Sequence, residues 1–232
     1  MPRWSPRRRP ATAYLGFGSN LGDRLTTLRG ALDDLEQHVR VHVEAVSAVY
    51  QTAPWSGDQT APWSGDETTD SGVRRAGSQP RSDVEQGPYL NLVARVTTRL
   101  PPRRLLEQSH RIERAHGRDR ARERRWGPRT LDIDLLLYDD LVVDEPGLTV
   151  PHPQLTQRAF VLVPLAEVAP PGTTLPDGST ISQHLARLAP IEGIDLYVRL
   201  LEGPGSAAEP LVKRPAGPGG GPPRLGRPRE RR

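Results

Sequence analysis

Two aspartates set two residues apart, Asp132 and Asp134, are where chemistry first becomes legible in this chain. They lie in GRDRARERRWGPRTLDIDLLLY, which begins at Gly117. Leu131, Ile133, Leu135 and Leu137 alternate with Asp132, Asp134 and Leu136. That is the period of a strand, so both carboxylates are expected on one face. Two positions along a strand span roughly 7 Å. Carboxylates at that spacing can share one divalent ion or hold two side by side. Six arginines fall between positions 118 and 129, with Trp126 and Gly127-Pro128 among them, and this half reads as a loop. Metal-binding carboxylates beside guanidinium groups suit polyphosphate chemistry, because ions bridge phosphate oxygens and arginines neutralise developing charge. Each feature alone has a plainer reading. An Asp-x-Asp is usually a strand with a wet face, and an arginine run is usually a solvated face or a nucleic-acid footprint. The combination in one stretch, followed by His152 and Arg158, favours a site.

The elements that must position these groups follow from periodicity. Residues 12–18 (TAYLGFG) read as a short buried strand. Gly18 to Asp23 is a turn, with Asp23 as a helix cap. It lacks the spacing and the lysine of a phosphate-binding P-loop. Leu25, Leu28, Leu32 and Leu35 then share one face of a helix ending near His38. Val41 to Tyr50 reads as one alternating strand. QTAPWSGD at 51–58 repeats identically at 59–66, too short for a solenoid unit, and a long mobile loop is expected over 51–88. Pro88 to Leu100 returns to strand, with Tyr89, Asn91 and Val93 on one face and Leu90, Leu92, Ala94 and Val96 on the other. Pro101-Pro102 opens a helix carrying Leu105, Leu106, Ser109 and Ile112. After the Asp strand come a turn at Asp139-Asp140, a short strand at 141–143, an apolar helix within 150–170, a helix at 181–188 and a last strand or ragged end at 196–201. The order β-α-β, long loop, β-α-β predicts an α+β fold of ferredoxin-like, split βαβ type, an antiparallel sheet with helices on one face.

Composition bounds the function. A chain of 232 residues can bury a real core. It has no cysteine, hence no disulfide frame, thiolate metal site or cysteine nucleophile. No apolar run approaches a membrane span, and no apolar signal segment follows the basic start, so a cytoplasmic protein is expected. The net charge of +4 is uneven: residues 12–202 hold 21 basic against 26 acidic residues, while the two ends are basic. A wholly basic nucleic-acid-binding domain is therefore not expected. Residues 1–11 are predicted to be a disordered basic arm, and 12–202 the folded domain. Residues 203–232, where 14 of 30 are Gly or Pro, are predicted to be a disordered tail.

Four blocks carry a resemblance: YLGFGSNLGDR at 14–24, PYLNLV at 88–93, RWGPRTLDIDLLLY at 125–138 and VPHPQLTQRAFVLVPLAEVAP at 150–170. In these the chain resembles the hydroxymethyl-dihydropterin pyrophosphokinases of folate biosynthesis, over about residues 12–200. The resemblance implies transfer of the β,γ-pyrophosphoryl group of ATP to the hydroxymethyl oxygen of a reduced pterin, giving AMP. It implies that Asp132 and Asp134 bind two Mg²⁺, and that Arg118 and Arg120 close over the phosphates. By the same likeness Tyr89 and Phe160 sandwich the pterin, Asn91 reads its polar edge, Thr52 belongs to the loop that touches it, and Trp126 closes the lid. His110, Glu113, Arg129, Thr149, His152 and Arg158 match nucleotide-side positions. ATP and the pterin are the expected partners of a monomer, with no membrane and no nucleic acid.

The chain departs from the family pattern in three places. The loop after Tyr50 is longer and duplicated, so either Thr52 or Thr60 could serve; Thr52 is preferred because it directly follows the strand. The arginine loop has one residue more before Trp126, so Arg122 could share the role of Arg120. Pro153 stands where many relatives carry an aromatic residue. Alternatives from other classes are a nucleic-acid binder on a ferredoxin-like domain with basic arms, a nucleotidyl transferase, and a relative that binds pterin without turnover. The first leaves the Asp pair unexplained, since two outward carboxylates repel a phosphate backbone.

Overall fold

A computed structural model describes residues 9–54, 86–120 and 127–200. The basic arm up to residue 8, residues 55–85 with the second octapeptide copy and Thr60, Arg122, Trp126 and the tail from 203 lie outside the described residues. The elements in order are β1 (Ala11–Ser19), α1 (Arg24–Glu36), β2 (Val41–Val46), β3 (Val49–Thr52), β4 (Tyr89–Thr98) and α2 (Pro102–Ala115). Then come β5 (Asp132–Tyr138), β6 (Val143–Glu145), β7 (Leu148–Val150), a 3₁₀ turn at Leu155–Gln157, α3 (Ala159–Val168), α4 (Ile181–Arg187) and β8 (Ile194–Val198). The central sheet has six strands in the order β5-β1-β4-β3-β8, with β2 also paired to β4. Every pairing in it is antiparallel. β6 and β7 form a separate hairpin.

Asp23 caps α1 by accepting from the Thr26 N–H at 3.2 Å, which satisfies one of the free amides of the first turn. The strand expected over 41–50 is two strands. Against β4 one extra residue enters between Val43 and Ala45, and a second is gained between the Val46↔Ala94 and Tyr50↔Asn91 pairs. Ser47 fills the break, its N–H donating to Val93 O and its Oγ accepting from Val93 N–H, both at 2.9 Å. A bulge of this kind bends the strand while keeping its polar groups bonded.

A further bulge corrects the reading of β5. Leu15 pairs with Leu135 but Tyr14 pairs with Leu137, so Leu136 is the extra residue. Leu131, Ile133 and Leu135 pack on the first face of the sheet, as expected, but Leu136 and Leu137 both join the core on the second face and Tyr138 returns to the first. On that first face α1 and α2 deliver Leu28, Ala31, Leu35, Leu105 and Ile112 to Leu15, Phe17, Leu90, Leu92 and Ala94. The expectation of helices on one face only is corrected as well. α3 and α4 bring Leu162, Leu165, Ile181 and Leu185 against Tyr14, Tyr50, Val93 and Leu136 on the other face. The apolar residues at 150–188 need a surface to bury, and the second face of β1, β3 and β4 supplies it.

Candidate active site

Among the described residues, α3 and α4 cover only part of the second face. The uncovered part is a cleft, and the sheet register decides what lines it. Gly18 pairs with Asn91 on one side and Asp132 on the other; Gly16 pairs with Val93 and Asp134. Residues directly paired across a sheet share a face, so two bare-backbone positions separate the carboxylates of β5 from Asn91 and Tyr89 of β4. A Cβ on Gly18 would meet Asn91 Oδ1 at 3.3 Å, and one on Gly16 would meet Leu136 Cδ1 at 3.3 Å. The cleft floor is therefore open because both positions are glycine.

Thr52, Tyr89, Asn91, Arg129, Asp132, Asp134, Arg158 and Phe160, all expected site residues, line this cleft together. Asn91 Nδ2 donates to Thr52 Oγ1 at 2.9 Å, which fixes the amide and leaves its carbonyl oxygen as an acceptor. The Tyr89 hydroxyl reaches the Gly127 carbonyl at 3.4 Å. The Arg158 guanidinium lies 5.5 Å from the centroid of the Phe160 ring, within cation–π range.

The two carboxylates differ in electrostatics. Burial would raise the pKa of Asp132, but Arg129 and Arg118 outweigh it and hold the group below its ordinary value. Arg129 Nη1 stands 2.6 Å from its Oδ2, and Arg118 Nη1 bonds its Oδ1. Asp134 is pushed up to about 7 by burial and then by the charge of Asp132, with Arg158 opposing. His152 Nε2 lies 3.9 Å from Asp134 Oδ2. Burial, with the Arg158 charge, pulls the histidine down to about 4, so its ring is neutral at pH 7. The Gln154 N–H donates to His152 Nδ1 at 3.1 Å, which places the ring proton on Nε2, facing Asp134.

Behind Asp132 sits a buried ionic group. Glu113 is fully buried. It accepts from Arg118 at 2.5 Å, from Arg120 at 2.6 and 3.1 Å, and from the Ile133 N–H at 2.9 Å. Burial raises its pKa, and Arg120, the Ile133 N–H and Arg118 pull it back. Ile133 lies between the two aspartates, so this carboxylate pins the strand that carries them. Arg118 is only 3% exposed at its side chain, whereas Arg120 is 46% exposed. Of the arginine pair expected over phosphates, then, one is held inside and the other is at the surface.

Six expected residues, Glu113, Arg118, Arg120 and His152 above together with His110 and Thr149, do not line the cleft itself. His110, partly buried on α2, has its pKa lowered by burial and by Arg120, Arg118 and Arg114. Thr149 is exposed on β7, where its hydroxyl reaches Asp144 at 3.4 Å. The sequence reading missed Asn20, Gln86, Leu136 and Val161. Asn20 Oδ1 accepts from Arg129 N at 2.7 Å and Asn20 N donates to Arg129 O at 3.1 Å. That side chain ties the exit of β1 to the end of the arginine loop. The asparagine of the Gly-Ser-Asn turn is the available signal, and in the sequence turn chemistry alone accounts for it.

For a divalent ion the fit rests on the donor set. Asp132 and Asp134 offer oxygen ligands on one face of β5, and no group of three or more His, Cys, Asp or Glu gathers among the described residues. A hard ion that keeps waters and substrate oxygens suits two carboxylates, and the elevated pKa of Asp134 marks a carboxylate that a nearby cation would stabilise.

A profile for 7,8-dihydro-6-hydroxymethylpterin-pyrophosphokinase (HPPK) matches residues 14–170. The chain is 40% identical over 178 residues to a 2-amino-4-hydroxy-6-hydroxymethyldihydropteridine pyrophosphokinase of Methylorubrum extorquens, covering 77% of this chain and 94% of that protein. It is 38% identical over 156 residues to the protein of the same name from Bacillus subtilis, covering 67% and 77%. Among solved structures, wild-type HPPK-DHPS of Plasmodium falciparum matches with a TM-score of 0.54 at 17% identity; 79% of this chain is covered, and it spans 46% of that chain.

Proposed function

Because the chain belongs to the 7,8-dihydro-6-hydroxymethylpterin-pyrophosphokinase family, we propose how its cleft divides the work of that reaction. The enzyme is a diphosphotransferase that moves pyrophosphate from ATP to the hydroxymethyl group of the dihydropterin, giving AMP and the pterin diphosphate, in folate biosynthesis. The single observation that carries the division is the register Asn91–Gly18–Asp132, with Val93–Gly16–Asp134 beside it. A flat ring lying over the glycines would place its substituent near the carboxylates. Tyr89 and Phe160 stack on the pterin, Asn91 and Thr52 hydrogen-bond its edge, and Trp126 closes over it. Arg129, Arg158, His152, Thr149, His110 and Glu113 serve the nucleotide side.

Asp132 and Asp134 would hold Mg²⁺, two ions in this reading, which when bound would supply positive charge against the phosphates. The chain's own residues orient both substrates and oppose the developing charge; no covalent enzyme intermediate is needed. Arg118 acts over the phosphates by exchanging its carboxylate partners for phosphate oxygens, and Arg120, already half exposed, follows. The strand order and the two βαβ segments support a ferredoxin-like core over residues 12–202. No helix among the described residues is long and apolar enough to cross a membrane. A cytoplasmic monomer with no nucleic-acid partner is the reading we adopt. The test mixes protein, ATP, Mg²⁺ and 6-hydroxymethyl-7,8-dihydropterin and separates the nucleotides. AMP formed in step with pterin consumed is expected. ADP would mean single phosphoryl transfer, inorganic pyrophosphate nucleotidyl transfer, and no turnover with pterin bound a non-catalytic binder.

A further inference from the structure

Glu167 of α3 takes no part in the chemistry above, yet both its carboxylate oxygens are engaged. Its Oε1 accepts from the Tyr50 hydroxyl at 2.5 Å, and its Oε2 accepts from the Ala48 N–H at 2.7 Å. Arg199 approaches Oε1 at 3.8 Å, and the carboxylate side chain is only 10% exposed. Tyr50 is fully buried. Burial, with the hydrogen bond and the charge of Glu167, lifts the phenol far above its ordinary range, so it stays a donor at any working pH. Two donors on a nearly dry carboxylate make short, directional, charge-assisted bonds.

What each end of this brace carries gives it meaning. Tyr50 stands two residues before Thr52 on β3 and is paired with Asn91 across the sheet. Tyr50 and Thr52 therefore point to the same side. Glu167 lies two helical turns after Phe160, hence on the same stripe of α3 and roughly 10 Å further along its axis. Thr52 and Asn91 from the sheet and Phe160 from α3 line the same cleft. α3 has no side-chain cap at its start, and Pro164 sits between Phe160 and Glu167. That proline has no N–H to give to the Phe160 carbonyl, four residues back. The end of α3 that bears Phe160 is thus the less constrained one, and its distance from the sheet depends on where the helix is fastened.

We propose that the Tyr50–Glu167 pair is a positioning device that sets the gap between Phe160 and the wall formed by β3 and β4, and so sets pterin affinity. The inference rests on reading this cleft as the pterin site. A stacked ring needs contact on both faces, and widening the gap by 0.5–1 Å would forfeit roughly a quarter to a half of the dispersion attraction.

The test compares wild type with Tyr50→Phe and Glu167→Gln. Equilibrium binding of 6-hydroxymethylpterin is measured by fluorescence with a non-hydrolysable ATP analogue present, the analogue's own affinity is measured separately, and thermal unfolding is followed in parallel. Tyr50→Phe should raise the pterin Kd about five- to tenfold and leave the analogue within about twofold, from one lost hydrogen bond and the loosened stack. Glu167→Gln should show a smaller loss of the same kind, because its amide still accepts one of the two donors. Where Tyr50→Phe fails to fold, Glu167→Gln carries the same comparison. A lower Tm with both affinities unchanged would reduce the pair to a core tie and overturn the proposal. So would equal losses for pterin and nucleotide. Wild type that takes up the analogue but no pterin would instead bring down the reading of the cleft itself, and the inference with it.

Discussion

Asp134 and Arg118 are the two side chains whose surroundings make the sharpest predictions. The pKa of Asp134 is raised to about 7, so between the ordinary carboxylate range and that value the folded chain binds a proton that the unfolded chain has lost. Stability of the metal-free protein therefore falls as pH rises from about 4 to about 7, then levels. Asp134→Asn stays neutral throughout. It should match wild type in thermal unfolding at low pH and exceed it at pH 8 by about 1–2 kcal/mol, discounted because 41% of the side chain meets solvent. The same variant should lose nearly all turnover, on the order of a thousandfold, with pterin binding largely kept; unchanged kcat would remove Asp134 from the site. Arg118→Ala should lower kcat more than either substrate affinity if the arginine acts mainly in the transition state. It would also leave the buried Glu113 with one cation fewer, and chemical denaturation should show a loss of about 3–5 kcal/mol. A fall in affinity alone, with kcat intact, would remove Arg118 from catalysis. The aspartate pair could be read from alternation because its neighbours Leu131, Ile133 and Leu135 are unmistakably core. The burial of Arg118 could not, since a run of arginines has no apolar period to show which one turns inward.

At the scale of elements, β1 is the strand on which the site depends. Gly18→Val should keep the sheet, since valine suits an extended backbone, but its side chain would press on Asn91 Oδ1, 3.3 Å from the Cβ position. Pterin affinity should drop about tenfold or more, measured by fluorescence titration, with the circular dichroism of wild type. Retained affinity would mean that the ring does not lie over the glycines. Strand and helix types were legible here because their periods are distinct. The bulges at Leu136 and in the break between β2 and β3 were not, because one inserted residue leaves composition untouched and is fixed only by the partner strand. The reading that joined 41–50 into one strand and put Leu137 with Leu135 failed for that reason.

For the whole molecule, the proposed chemistry draws on the long insert through Thr52 and assigns no role to the tail. Deleting one copy of QTAPWSGD, or residues 203–232, should leave kcat/KM within about twofold and the Tm nearly unchanged, because changing loop length by a factor of two costs only about 0.6 kcal/mol. An inactive octapeptide deletion would show that the insert is used, through its second copy or through its length. By itself the sequence determined the family blocks, the carboxylate pair, the aromatic and amide residues of β4, and the two βαβ segments, all of them local patterns in type and spacing. Only the tertiary structure decided that α3 and α4 cover the second face in part and so leave a cleft, that Glu113 fastens Ile133 from behind, and that Glu167 of α3 meets Tyr50 of β3. Those contacts join residues 20 positions apart in the first case and 117 in the second, and no local period carries such information. They are set when separate apolar stripes find a common core, which brings together polar groups whose partners cannot be read along the chain.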